Sequence, residues 1–210
     1  HCSISNEIAY DISKTFPWAP ADLSYDRAIY LENQIRENQH KDHQDGNRVK
    51  HELMNPQMIR KNNSLRAKAA ECYRRAIGTY KLKVAEDPIK NAHLAARLAQ
   101  MYSLGKGGDI SIEEGLKYAQ IAANADMGKY TGMYIYFQLS QGSMSDIKKT
   151  LANRLDYLKE EDPFYPLIKA KSDIADALSL PFPQKDSVIQ HAIANVDSVA
   201  LSSSPAAPFA

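Results

Sequence analysis

Apolar residues recur along this chain at intervals of three and four, the spacing that places them on one face of an α-helix. Asn6 to Lys14 predicts a short helix, and Thr15-Phe16-Pro17-Trp18-Ala19-Pro20 a proline-punctuated connector. Leu23, Ala28, Leu31 and Ile35 share a face and predict a helix to about Glu37. Asn38 to Glu52 is strongly polar with Gly46 near its middle, and predicts a loop. Asn55-Pro56 is a helix start, and Asn62-Asn63-Ser64 a break or a restart. Leu65, Ala69, Cys72, Ala76 and Tyr80 carry a helix to Ala85, closed by Asp87-Pro88.

The second half reads the same way. Leu94, Leu98, Met101 and Tyr102 form a stripe that stops at Gly105-Lys106-Gly107-Gly108, where glycine takes left-handed angles cheaply. Ser111 and Glu114 form a capping box, and Leu116, Ala119, Ala122 and Ala123 mark the helix it starts. Lys129 to Leu139 is apolar nearly all round and predicts a buried helix. Ser145 caps a helix with Ile147, Leu151, Leu155 and Leu158. Asp162-Pro163 breaks it, Leu167, Ala170, Ile174 and Leu178 define the next, and Pro181-Phe182-Pro183 breaks again. Ile189, Ile193, Val196 and Ala200 define the last helix, and Ser202 to Ala210 reads as a mobile tail. No two-residue alternation competes with this, so the expected fold is all-α.

Two segments repeat each other. Lys68 to Ile77 can be laid on Glu114 to Ala123, 46 residues on, with small residues recurring at the same places. Leu98-Ala99-Gln100-Met101-Tyr102, then Gly105-Lys106-Gly107, then Leu116 to Ala123 resembles one complete Sel-one-like repeat, a relative of the tetratricopeptide repeat. Lys68 to Ile77 resembles the second helix of a preceding repeat, with Cys72 in the usual Trp place. Ala99 stands for the usual Gly, Gly108 for Val and Gly115 for Ala. The resemblance implies an α-solenoid of antiparallel helix pairs with extra terminal helices. Its best repeat is 92–128, a partial one is 56–85 and a degenerate one is 129–160, inside a domain spanning 21–201. Residues 1–20 form a tether and 202–210 a tail. Members of this family are non-enzymatic adaptors, and bacterial ones are often exported; some are immunity lipoproteins that neutralise toxic effectors.

Composition adds limits and one local asymmetry. Of 210 residues, 44% are hydrophobic and 24% charged, ordinary globular usage. The net charge of +1 gives no global case for nucleic acid or a membrane surface. Within 60–83, however, Arg60, Lys61, Arg66, Lys68, Arg74, Arg75, Lys81 and Lys83 are opposed by Glu71 alone, a local +7 between flanks of −3 each. Such a face can steer an acidic partner, or it can be an ordinary solvated surface. Arg66, Lys68, Arg74, Arg75 and Lys81 are its candidates.

Cys2, followed by Ser3-Ile4-Ser5-Asn6, resembles the first residue of a mature bacterial lipoprotein and is the candidate lipid-attachment site. That reading implies a periplasmic, outer-membrane-anchored protein of a Gram-negative bacterium; the competing location is the cytoplasm. Cys72 reads as a small buried hydrophobe. His40, His43, Asp45 and His51 have metal-like spacing in polar, loop-like surroundings, and no metal or other cofactor is expected.

In the resemblance, the first helix of a repeat lines a concave binding face. His93, Arg97 and Gln100 lie at i, i+4 and i+7 there, off the apolar stripe. Tyr130 and Tyr134, with Phe137, form the matching stripe one repeat on, suited to interface anchoring or to core packing. No nucleophile elbow, Walker loop, dinucleotide fingerprint, HExxH or CxxC occurs, so no catalytic residue is proposed. The expected partner is another protein, as a secreted toxin bound by an immunity protein or an envelope assembly component. A cytoplasmic scaffold is the alternative, and a metal-binding helical enzyme a third reading.

Overall fold

In a computed structural model of the chain, residues 19–45, 56–141, 158–177, 180–202 and 206–209 are described. Among them every regular element is helical. In chain order these are α1 (Ala19–Asp45), α2 (Pro56–Glu86), α3 (Ala92–Ser103), α4 (Ile112–Ala125), α5 (Met127–Gln141), α6 (Tyr165–Ala177) and α7 (Gln184–Ala200), followed by a 3-10 turn at Ala207–Phe209. No helix among them is long and apolar enough to cross a membrane. The expected helices over 6–14 and 145–158 lie almost wholly outside the described residues.

The chain divides into two compact units. The first is α1, α2 and the segment Gly105–Ile110. Its two helices pair through Tyr80–Asp22, Tyr73–Glu32 and Asn62–Asn38 side-chain contacts. As α1 positions rise the α2 positions fall, so the helices run antiparallel. Small and aromatic residues fill the seam: Ala28, Ala69, Cys72 and Ala76 are fully or nearly fully buried beside Tyr73 and Tyr80. Tyr25 meets Tyr73 edge-on, with ring centroids 5.7 Å apart.

Two expectations are corrected here. The predicted loop from Asn38 is helical as far as Asp45, so His40, His43 and Asp45 stand on α1. Gln39, Lys41 and Gln44 are good helix formers and extend a helix without an apolar stripe. Asn62-Asn63-Ser64 neither breaks nor restarts α2, which is continuous over 31 residues. The reason is shared by both segments: Asn38 Nδ2 donates to Asn62 Oδ1 at 2.9 Å in the buried seam. Lys61 Nζ donates to Asn38 Oδ1 at 3.3 Å. Polar residues that look like breaks in the sequence are partners in the fold.

The second unit comprises Asp87–Leu104 and Ser111–Ala210. Within it each helix packs on its successor: α3 on α4, α4 on α5, α5 on α6 and α6 on α7. Leu94, Leu98 and Met101 of the predicted α3 stripe are buried, with four alanines around them, while Tyr102 is half-buried and stacks on Tyr118 at 5.7 Å. The α3–α4 approach is close at Gly115, where a Cβ would stand 2.1 Å from Ser103 Oγ and 3.2 Å from the Ala99 carbonyl. The chain turns between them with Gly105 at φ +65° and Gly107 at φ +82°. Ser111 then caps α4, its hydroxyl accepting from the Glu114 N–H at 3.3 Å. The buried stripe of α5 is as predicted from Thr131 to Leu139.

The last helix differs. Ala192 and Val199 are the buried residues of α7, and Ile193 is 44% exposed. The face chosen from Ile189, Ile193, Val196 and Ala200 is thus rotated from the one that packs. Asp162, read from the sequence only as part of a helix break, also prepares the start of α6: its Oδ1 accepts from the Phe164 N–H at 2.8 Å, half-buried against Gly132.

Candidate functional site

Packing on α4 consumes most of α3, burying seven of its twelve residues. His93 remains exposed, and Arg97 and Gln100 are half-buried along the edge of the packed face. The trio therefore keeps the i, i+4, i+7 alignment predicted for it, on a helix held rigidly by its alanine-rich seam.

On α5 the predicted pair separates. Tyr134 is 8% exposed and Phe137 2%, so both belong to the core. Tyr130 is half-buried, with Lys129 Nζ 5.4 Å from its ring centroid. The trio and Tyr130 sit on different helices, with α4 packed against both.

In the first unit, Arg66, Lys68, Arg74, Arg75 and Lys81 are all exposed on α2. The face is partly self-compensated. Glu71 accepts from Arg74 at 2.8 Å and from Arg75 at 3.1 Å, and these bonds hold its carboxyl below the usual range. Arg66 donates to Asn63 at 3.1 Å. Solvent screens such pairs strongly, so they shape the surface more than they stabilise it.

The first unit also holds a polar cluster that sequence reading missed. Tyr73 donates its hydroxyl to Glu32 Oε2 at 3.0 Å, and Lys106 Nζ pairs with Glu32 Oε1. Lys106 also lies 5.6 Å from the Tyr73 ring centroid. Burial, then the Glu32 carboxylate, pushes the Tyr73 phenol far above its ordinary value. Gly107 presses on the same residue: a Cβ there would stand 2.9 Å from both Tyr73 Cβ and the Arg74 nitrogen. The Gly-x-Gly sequence announced a turn, and nothing in its spacing announced that the turn docks on α2.

A second missed cluster is aromatic. Phe137 and Phe164 are buried and Tyr136 is half-buried, together forming a pocket from α5 and the turn before α6. Phe209 enters it, with ring centroids 5.2 Å from Phe137, 5.6 Å from Phe164 and 5.8 Å from Tyr136. Tyr136 donates its hydroxyl to the Phe209 carbonyl at 2.9 Å. Beside the pocket, Lys171 lies 4.9 Å from the Tyr136 ring and donates to Ser140 Oγ at 3.3 Å. Burial pulls the Lys171 ammonium below its ordinary range and pushes the Tyr136 phenol above its own. Residues 206–209 were expected in a mobile tail; instead Ala206 is fully buried and Phe209 is packed.

Among the described residues no group of three or more His, Cys, Asp or Glu could hold a metal ion. The side chains of His40, His43 and Asp45, and all of His51, lie outside that set. Cys72 is fully buried, as its reading as a small buried residue expects, and it is also disulfide-bonded. Cys2, the other cysteine of the sequence, lies outside the described residues.

Compared with protein-family models, curated proteins and solved structures, the chain matches none.

Proposed function

We propose that this chain is a non-enzymatic protein-binding module of the Sel-one-like, tetratricopeptide-related kind, binding its partner along the His93–Arg97–Gln100 edge of α3. The observation that carries the reading is the α3–α4 hairpin. It combines an alanine-rich packed seam, two left-handed glycines, a serine cap and an aligned row of large polar side chains, His93 exposed and Arg97 and Gln100 half-buried. A rigid helix presenting an Arg is a suitable interface element, because the guanidinium offers a planar donor fork on a packable stem. Stacked helix pairs of this kind in a solenoid would extend the edge into a longer surface.

The concrete version is an envelope-located bacterial immunity protein or adaptor that covers a toxic effector. A disulfide at Cys72 supports an oxidising compartment.

The test is affinity capture from the native host with the wild-type chain and Arg97→Glu in parallel, with melting curves for both. The reading expects one protein enriched on the wild-type chain and lost on Arg97→Glu, at closely similar melting temperatures. An unchanged capture profile moves the interface away from α3.

A further inference from the structure

Within the second unit, Ala206–Phe209 packs on α5 and the turn before α6 in the manner of a bound peptide. It begins six residues after the end of α7 in the sequence. A single large side chain, Phe209, fills a pocket made by three rings. One backbone carbonyl of the segment is taken by a side-chain hydroxyl of the pocket, that of Tyr136. Both are features any Phe-bearing segment can supply, because one uses only a ring and the other only a main-chain oxygen. The rest of the tail is Ser, Pro and Ala, and Pro208 is exposed. Phe209 itself is only half-buried. Its ring is held, yet it retains an open side through which another chain could exchange with it.

We propose that the pocket formed by Tyr136, Phe137 and Phe164 is a recognition site for a Phe-bearing peptide segment of a partner protein, occupied in cis by the chain's own Ala206–Phe209. The segment held in cis defines the ligand: a phenylalanine next to a proline, with the phenylalanine carbonyl accepting from Tyr136. Partner engagement then begins with displacement of the tail, and the tail sets a threshold that weak ligands do not cross. This deepens the protein-binding reading and rests on it, but it uses a different surface from the α3 edge. A short tether holds its ligand at an effective concentration on the order of millimolar. The loss is set by the tail's own affinity, so a tail that binds with a dissociation constant of about 100 μM costs every competing peptide about tenfold while it is in place.

The experiment uses the full chain in two forms, wild type and Phe209→Ala, titrated with the peptide Ser-Pro-Ala-Ala-Pro-Phe-Ala, which is residues 204–210. Saturable binding to Phe209→Ala is expected, about tenfold weaker on wild type, and absent for the same peptide with its Phe replaced by Ala. Adding Tyr136→Phe to Phe209→Ala is expected to weaken the peptide about fivefold, the worth of one hydrogen bond. A folded Phe209→Ala chain that binds nothing up to several millimolar overturns the proposal. Equal affinity for the two forms does the same, since the peptide then sits elsewhere. A Phe209→Ala chain that fails to fold also overturns it, by making Phe209 a core residue and not a ligand. Arg97→Glu capture is unaffected by these outcomes, so loss of the pocket leaves the α3 interface standing or falling by its own test.

Discussion

The Asn38–Asn62 pair makes a prediction whose two halves differ in size. Asn62 is 1% exposed and Asn38 8%. Asn38 Nδ2 donates to Asn62 Oδ1, while Asn62 Nδ2 has no hydrogen-bond partner. Asn38→Leu leaves both polar atoms of Asn62 buried without a partner. Asn62→Leu leaves only Asn38 Nδ2 stranded, because Lys61 still reaches Asn38 Oδ1, and it removes the orphaned Asn62 Nδ2 altogether. Stranding a buried polar group costs about 1–3 kcal/mol. Asn38→Leu is therefore expected near the top of that range and Asn62→Leu near the bottom. The double Leu variant is expected to return close to wild type, since an apolar pair of similar shape replaces a polar one. Urea denaturation followed by far-UV circular dichroism measures all four forms. A coupling of more than about 1 kcal/mol is expected, with Asn38→Leu the worse single variant. Additive costs, or two harmless single variants, refute the buried hydrogen bond as the device that sets the α1–α2 register.

Gly107→Ala is expected to destabilise by more than Gly105→Ala. Left-handed backbone costs a non-glycine residue about 1–2 kcal/mol at either site, but the Gly107 Cβ meets backbone of Tyr73 and Arg74, whereas the Gly105 Cβ meets the movable Ile110 side chain; chemical denaturation ranks them. Burial raises the Asp162 pKa above its ordinary value, against the pull of the Phe164 and Gly132 backbone groups. Between the ordinary and the raised value the folded state holds more protons than the unfolded one, so stability falls as pH rises through that window. Asp162→Asn keeps an acceptor for the Phe164 N–H and is expected to flatten this slope, read from melting temperatures across acidic pH. Intact mass of the native protein with and without reductant reads the state of Cys2: a gain of two hydrogens on reduction marks the bond to Cys72, and an acyl-sized mass increment marks lipid instead.

What the sequence showed plainly were positions where one residue type has one physical meaning. Leu94, Leu98 and Met101 could only be a buried stripe, Gly105 and Gly107 a turn, and Ser111 a cap. It failed where polar residues are buried. Asn38, Asn62 and Asp162 look like breaks or surface charge because periodicity counts only apolar positions. In α7 the stripe of large residues was followed although Ala192 and Val199 make the contact, a choice fixed by what packs opposite. Of the site, the alignment of His93, Arg97 and Gln100 was legible from helical spacing alone. The Tyr73–Glu32–Lys106 cluster and the Phe209 pocket bring together segments 27 to 74 positions apart. No local pattern encodes such pairings.

Binding of a partner protein along α3, as proposed, has a direct test. The most direct measurement is quantitative capture from the native host on wild-type and Arg97→Glu chains of matched melting temperature. A single protein is expected, near stoichiometric on the wild-type chain and at least tenfold depleted on Arg97→Glu. The same proteins in the same amounts on both chains would contradict it.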